Sequence, residues 1–250
     1  MLGYNAAMKM EKTATEKAAR GFEHVETWVF DLDNTLYPHS VDVWKQVNEL
    51  IRNYIANYLK VSPEEATRIQ KDYYLRYGTS MRGMMAEHNM PHEDYLEAVH
   101  KIDHSLIEPN PALGEAIGKL PGRKLILTNG TRKHADAIVE RLGLHGHFED
   151  TFDIVAAELE PKPAAQTYDK FLRVHGVKPE RTAMFEDLAR NLEVPHALGM
   201  TTTLIVPRPG FEPPSERTRL DWENAGSDAP FVDHVTDDLT AFIEKLSALR

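Results

Sequence analysis

The stretch Val29-Phe30-Asp31-Leu32-Asp33-Asn34-Thr35-Leu36-Tyr37-Pro38 ends an apolar run with two carboxylates spaced by one residue. Residues two apart leave a strand on the same side, so Asp31 and Asp33 can address one site. Carboxylates this close repel unless a cation lies between them or one of them holds a proton, and either condition suits catalysis. Taken alone, Asp-x-Asp-Asn also makes an ordinary turn, because Asp and Asn bond nearby backbone amides. Three further stretches shift the balance. Thr128-Asn129-Gly130-Thr131 follows the apolar run Lys124–Leu127 and brings a hydroxyl and tight-turn amides, although alone it reads as a plain helix entry. Lys162 lies between prolines in Glu160-Pro161-Lys162-Pro163, which fix the backbone and can present its ammonium in one direction; a surface lysine is the plain alternative. Glu186-Asp187 follow the run Thr182–Phe185, and Asn191 comes one helical turn later.

These residues share a site only if the elements before them are neighbours. Short apolar runs at Thr27–Leu32, Lys124–Leu127, Phe152–Ala156, Thr182–Phe185 and Thr201–Val206 read as strands. Between them, Pro111–Leu120, Arg132–Leu142, Ala164–His175 and Leu188–Leu198 carry apolar residues three or four apart, and Asp237–Leu249 closes the chain as a last helix. Strands alternating with helices imply a doubly wound α/β fold, a parallel sheet covered on both faces, whose ligand crevice lies at the carboxyl ends of the strands. One region breaks the alternation. From about Ser40 to about Asn110 no strand is expected, and the pattern is helical, with six tyrosines and four methionines. The expected organisation is therefore an N-terminal tail over 1–25, a core built from 26–38 and 111–250, and an inserted all-helical domain over 39–110. The proline-rich stretch Phe211–Pro230 reads as a long surface loop.

Composition limits the chemistry. The 250 residues are enough for one large domain or a core with an insertion, and 29 basic against 39 acidic residues give a net charge of −10. That charge argues against a broad grip on nucleic acid or on anionic membrane surfaces, so a bound anion needs a local site. The absence of cysteine excludes disulfides, thiolate metal sites and a cysteine nucleophile, and fits a reducing, cytoplasmic setting. Neither a signal-peptide core nor a membrane-length apolar run is present. The pairs His88/His92 and His100/His104 have the four-residue spacing of a helical zinc site, but Pro91 interrupts the first and no acid completes a set. They are expected to be solvated. His39 is placed to line the entrance.

The order VFDLDNTLYP, LILTNGT, EPKP, MFEDLARN resembles the four motifs of the haloacid dehalogenase-like phosphohydrolase superfamily, from about Thr27 to Val206. The resemblance implies a Rossmann-like core with the first strand central and a C1 cap inserted between the first two motifs. It also implies roles. Asp31 would be the nucleophile that forms an aspartyl-phosphate, and Asp33 the acid that protonates the departing alcohol and then takes a proton from water. Asp31 and Asp187 would give side-chain oxygens to Mg²⁺, Asp33 its backbone carbonyl, and Glu186 would act directly or through water. Thr128, Asn129, Gly130 and Lys162 would hold the phosphoryl oxygens, and Asn191 would support the metal ligands by hydrogen bonding. Dehalogenases of the superfamily lack the second acid, so Asp33 favours phosphate esters over carbon–halogen bonds.

Within that superfamily, Leu36-Tyr37-Pro38 and the cap stretch Tyr73–Gly83 look like the pyrimidine 5′-nucleotidase branch, which acts on UMP and CMP. Tyr77 would stack on a base, and Arg82 would reach the phosphate or the base edge. For most of the cap tyrosines and methionines, helical spacing makes cap core the better explanation. Phosphoglycolate or another small phosphomonoester, a β-phosphoglucomutase-like transfer, and a phosphate-binding module without turnover are the other readings.

Overall fold

The computed structural model describes residues 19–41, 43–211 and 226–248. Its centre is a six-stranded sheet ordered β3-β2-β1-β4-β5-β6. The strands are β1 (Thr27–Phe30), β2 (Arg123–Leu127), β3 (Asp150–Phe152), β4 (Thr182–Glu186), β5 (Thr201–Ile205) and β6 (His234–Thr236). Every pairing is parallel. β1 lies between β2 and β4, with Phe30 level with Ile126 on one side and Phe185 on the other. The chain winds outward from β1 in both directions, so the switch point falls where Asp31 and Asp33 emerge.

Alternation along β1 explains why the sheet is covered on both faces. Trp28 and Phe30 join the core under helices α5 (Pro111–Lys119), α6 (Arg132–Leu142) and α9 (Leu239–Ala248), and Phe30 stacks on Phe185 with ring centroids 4.8 Å apart. Val29, Leu125, Leu127 and Met184 face the other way, against α7 (Ala165–His175) and α8 (Glu193–Leu198). Because both faces are buried, the strands read as continuous apolar runs. The core also begins earlier than the expected tail boundary: Phe22 and Val25 are buried in it, and Phe22 stacks on Trp28. Residues 1–18 of that tail, and 212–225 of the proline-rich loop, lie outside the described residues.

Two expected elements differ and one strand is added. The run Phe152–Ala156 is strand only to Phe152, because Asp153 turns the chain: its Oδ1 accepts from the Ala156 amide and its Oδ2 from the Arg132 amide. Leu188–Leu198 is a 3-10 turn (Ala189–Leu192) followed by α8. Pro195 has no N–H for the Asn191 carbonyl, which accepts from the buried Tyr168 hydroxyl at 2.7 Å instead. β6 was not expected; it is three residues long and Val235 within it is exposed, so it carries no apolar run.

The insertion between β1 and α5 is helical: α1 (Val43–Leu59), α2 (Pro63–Tyr77), α3 (Ser80–His88) and α4 (His92–Val99), with short 3-10 turns at His39–Val41 and His104–Leu106. Ser62 and Thr79 cap α2 and α3, accepting from the Glu65 and Arg82 amides. Gly78 ends α2 in the left-handed region at φ 80°, and Gly83 lets α3 lie directly against Tyr73, where a Cβ would clash. Ile55, Tyr73, Met81, Met84, Met90, Tyr95 and Val99 form a separate small core.

Candidate active site

Lys162 organises the site. It is buried, and its ammonium donates to Asp31 Oδ1 at 2.6 Å, Glu186 Oε2 at 2.6 Å and the Leu127 carbonyl at 2.8 Å. Its backbone is held by Asn129, whose Oδ1 accepts from the Lys162 amide at 2.8 Å and whose side-chain amide donates to the Lys162 carbonyl at 3.2 Å. The loop after β2 therefore fixes the loop that carries the lysine. Asp31 and then Glu186 favour the charged ammonium, and the Lys162 pKa is pushed up despite burial.

Three carboxylates meet above it. Asp31, Glu186 and Asp187 place one oxygen each within 4.8 Å of one another. The Asp31 amide joins the sheet by donating to the Phe185 carbonyl, and its Oδ2 accepts from the Thr35 hydroxyl at 3.2 Å. Glu186 Oε1 accepts from the Asn191 side chain at 3.0 Å, and Asp187 Oδ2 from that of Asn34 at 3.1 Å. Asn34 reaches it from a left-handed backbone, φ 58°, which Asn tolerates well. Buried His39 lies 3.7 Å from the same oxygen. Burial and then the Glu186 charge push the Asp31 carboxyl up to about 7 in spite of Lys162. One ammonium does not neutralise three acids, and the set is all oxygen, so these residues fit a hard divalent cation such as Mg²⁺.

Asp33 stands apart from this cluster. Its Oδ1 accepts from the Tyr37 hydroxyl at 2.6 Å and from His134 Nε2 at 2.9 Å. Burial alone would raise its pKa, but the His134 charge and the two hydrogen bonds hold it at about 2. Across from it, Thr128 Oγ1 accepts from the Gly130 amide at 2.9 Å, closing the tight turn after β2. Space is tight at Gly130: a Cβ there would meet the His134 ring at 3.0 Å and Thr128 Oγ1 at 3.3 Å, with Asp33 Oδ2 at 3.8 Å.

The acids open into a cavity of about 280 Å³ between sheet and cap. Asp31, Asp33, Thr128, Asn129, Lys162, Glu186, Asp187 and Asn191 all line it. So do Trp44, Tyr74, Tyr95, Arg52, Lys71 and Arg190, none of which was singled out from the sequence as a site residue. Tyr77 and Arg82 do not line it. The Tyr77 hydroxyl donates to Glu87 on the exterior, and Arg82 pairs with Glu160 of the lysine loop at 2.8 Å. Of the histidines expected to be solvated, His88 is exposed, whereas His100 and His104 are drawn toward the site. His100 and His104 pack against His134, at ring-centroid distances of 5.0 and 5.4 Å, and His88 bonds the Tyr73 hydroxyl. His134 was missed, though its position three residues past Thr131, at the start of a helix leaving LTNGT, was a usable signal.

A family model for haloacid dehalogenase-like hydrolases matches residues 25–199. Phosphate metabolism protein 8 of Saccharomyces cerevisiae is 30% identical over 136 residues, which cover 50% of this chain and 42% of that protein. The chain thus matches less than half the length of this curated relative. An HAD phosphatase from Thermococcus onnurineus aligns with a TM-score of 0.57 and 18% identity, covering 89% of this chain and 98% of that one. An L-2-haloacid dehalogenase aligns with a TM-score of 0.54 and 18% identity, covering 89% and 99%. At that identity the likeness is one of fold, and it extends to enzymes of two chemistries.

Proposed function

The chain belongs to the haloacid dehalogenase-like hydrolase family, and within it we propose a Mg²⁺-dependent phosphomonoester hydrolase that works through an aspartyl-phosphate. The observation that carries this reading is the second acid: Asp33 lines the cavity beside Asp31, held on one oxygen by Tyr37 and His134. A carbon–halogen bond needs no proton donor for its leaving halide, whereas an alkoxide does.

Asp31 attacks phosphorus in line, the P–O bond to the alcohol breaks, and the alkoxide takes its proton from Asp33. Water then attacks the phosphorus, gives a proton to Asp33, and phosphate leaves with Asp31 restored. In the ligand-free state Asp33 is ionised; an approaching phosphoryl dianion raises its pKa and so favours loading with a proton. Lys162 offsets the charge of Asp31 and Glu186, while the Thr128 hydroxyl and the Asn129 amide hold phosphoryl oxygens; the Gly130 amide, expected to join them, donates to Thr128 Oγ1 instead. Asp31 and Asp187 side chains and the Asp33 carbonyl would hold Mg²⁺, with Glu186, whose carboxylate lies in the same cluster, acting directly or through water. The bound ion would screen repulsion between carboxylate and phosphate.

For the substrate, the cavity favours a leaving group larger than a two-carbon acid. Its wall combines the rings of Trp44, Tyr74 and Tyr95 with the amides of Asn48 and Gln70, a surface suited to a nucleoside. A pyrimidine 5′-nucleotidase acting on UMP or CMP is consistent with it, and the stacking and cationic contacts fall to Tyr74 and Arg190 rather than to Tyr77 and Arg82. Phosphate release from UMP, CMP, dUMP, AMP, GMP, phosphoglycolate and sugar phosphates, with Mg²⁺ or EDTA, tests this. Preference for pyrimidine monophosphates is expected. Preference for phosphoglycolate or a sugar phosphate would keep the mechanism and discard the nucleotidase.

A further inference from the structure

The Asp33 carboxylate has two oxygens that are not equivalent. Oδ1 receives both the Tyr37 hydroxyl at 2.6 Å and the His134 Nε2–H at 2.9 Å, while no protein donor bonds Oδ2 among the described residues. Since an ionised carboxylate only accepts, His134 must carry its hydrogen on Nε2 in this contact. Oδ2 is on the Gly130 side, 3.8 Å from where a Cβ would stand there, and Asp33 and Thr128 both line the cavity.

His134 is itself held firmly. Thr131 caps α6 and accepts from the His134 amide at 3.3 Å, which sets the ring on the first turn of the helix, beside the strand end that carries Asp33. His104 Nε2 lies 3.3 Å from His134 Nδ1, and the His100 ring packs on the His134 ring while its own Nδ1 donates to the Leu96 carbonyl at 2.8 Å. His134 is buried, with 3% of its surface exposed, so an imidazole buttressed on both sides presses on one carboxylate oxygen. Two of its supports, His100 and His104, come from the inserted helical domain.

We infer that His134 is a positioning residue for Asp33: together with Tyr37 it pins Oδ1 and thereby aims Oδ2 at the oxygen of the departing alcohol. This rests on the phosphatase reading and deepens it. Nothing in the four family-like motifs assigns His134, and a carboxylate that was free to rotate would serve as acid only in a fraction of its orientations.

The consequence is a dependence on the leaving group. A proton donor matters most when the departing oxygen is basic, so misaiming Asp33 penalises poor leaving groups more than good ones. The test compares kcat/KM for phenyl phosphate and 4-nitrophenyl phosphate, with Mg²⁺ and the full chain, in wild type, His134→Ala, His134→Asn and His134→Gln. Gln can offer a donor where Nε2 stands; Asn falls short, and serves if the alanine variant does not fold. The expected result is a loss at least about ten-fold larger for phenyl than for 4-nitrophenyl phosphate in Ala or Asn, with KM nearly unchanged and the ratio largely restored in Gln. Equal losses on both esters, or no loss on either, overturn the assignment while leaving the phosphatase reading intact. A wild type inactive on both esters overturns the phosphatase reading, and the role of His134 with it.

Discussion

The floor and the wall of the cavity are built on different principles. The floor is made of the ends of β1 and β4 and the lysine loop: Asp31, Lys162 and Glu186 are buried, each bonded to the next at 2.6 Å, and the Phe185 and Leu127 carbonyls hold Asp31 and Lys162 from behind. The wall is made of cap helices; Asn48, Gln70 and Tyr74 on it are half-buried and Ser80 and Tyr95 buried, while ion pairs such as Arg76–Asp72 lie outside the cavity in solvent. Buried charges must be paired and so are fixed; solvated ones cost little to rearrange. The floor is therefore suited to one reaction, and the wall to being changed for another substrate.

The largest effect should come from the floor. Asp31→Asn removes the nucleophile, and phosphate release is expected to fall by roughly 10⁴-fold; appreciable residual turnover in an assay free of wild-type enzyme would put the nucleophile elsewhere. Lys162→Met leaves two buried carboxylates without their cation, at an expected cost of about 3–5 kcal/mol in urea unfolding. A wall substitution should act on specificity instead. Tyr74→Ala is expected to raise KM for the preferred ester on the order of ten-fold while changing 4-nitrophenyl phosphate turnover little; equal losses on both would break the division between floor and wall.

Two smaller effects sharpen the same contrast. The folded Asp31 carboxyl titrates near 7 rather than at its ordinary 3.8, so the folded state holds the extra proton in this window. Without a metal, this group's contribution to stability falls as pH rises from about 4 to about 7. Mg²⁺ competes with that proton, and its increase in Tm should be larger at pH 8 than at pH 5; an equal shift would separate the ion from Asp31. At the outer side of the cap, Tyr77→Phe and Arg82→Ala should leave kcat/KM within about two-fold, because an exposed pair such as Arg82–Glu160 contributes less than about 1 kcal/mol.

The same contrast explains what could be read from the sequence. Asp31, Asp33, Thr128, Glu186 and Asp187 sit where an apolar run stops and polar residues follow, and Lys162 is marked by the prolines on either side, so short windows reveal them. The structure brings all six to one cavity. The cap has no such markers. α2 carries polar residues around most of its circumference, so spacing does not tell that Tyr74 turns inward and Tyr77 outward. His100, His104 and His134 meet only through the docking of the inserted domain on α6, a contact with no local signature. Phe22 and Val25 were hidden for another reason: two apolar residues in a polar lead acquire meaning only when Trp28 stacks on one of them.

The most direct test of the central claim, that these strand ends perform phosphate-ester rather than carbon–halogen hydrolysis, is to measure phosphate release from 4-nitrophenyl phosphate and halide release from a 2-haloacid in parallel. Wild type and Asp31→Asn would each be assayed with Mg²⁺ and with EDTA. The expected result is phosphate release by wild type that disappears with EDTA and in the variant, and no halide release. Halide release that persists in EDTA, without turnover of the ester, would contradict the account.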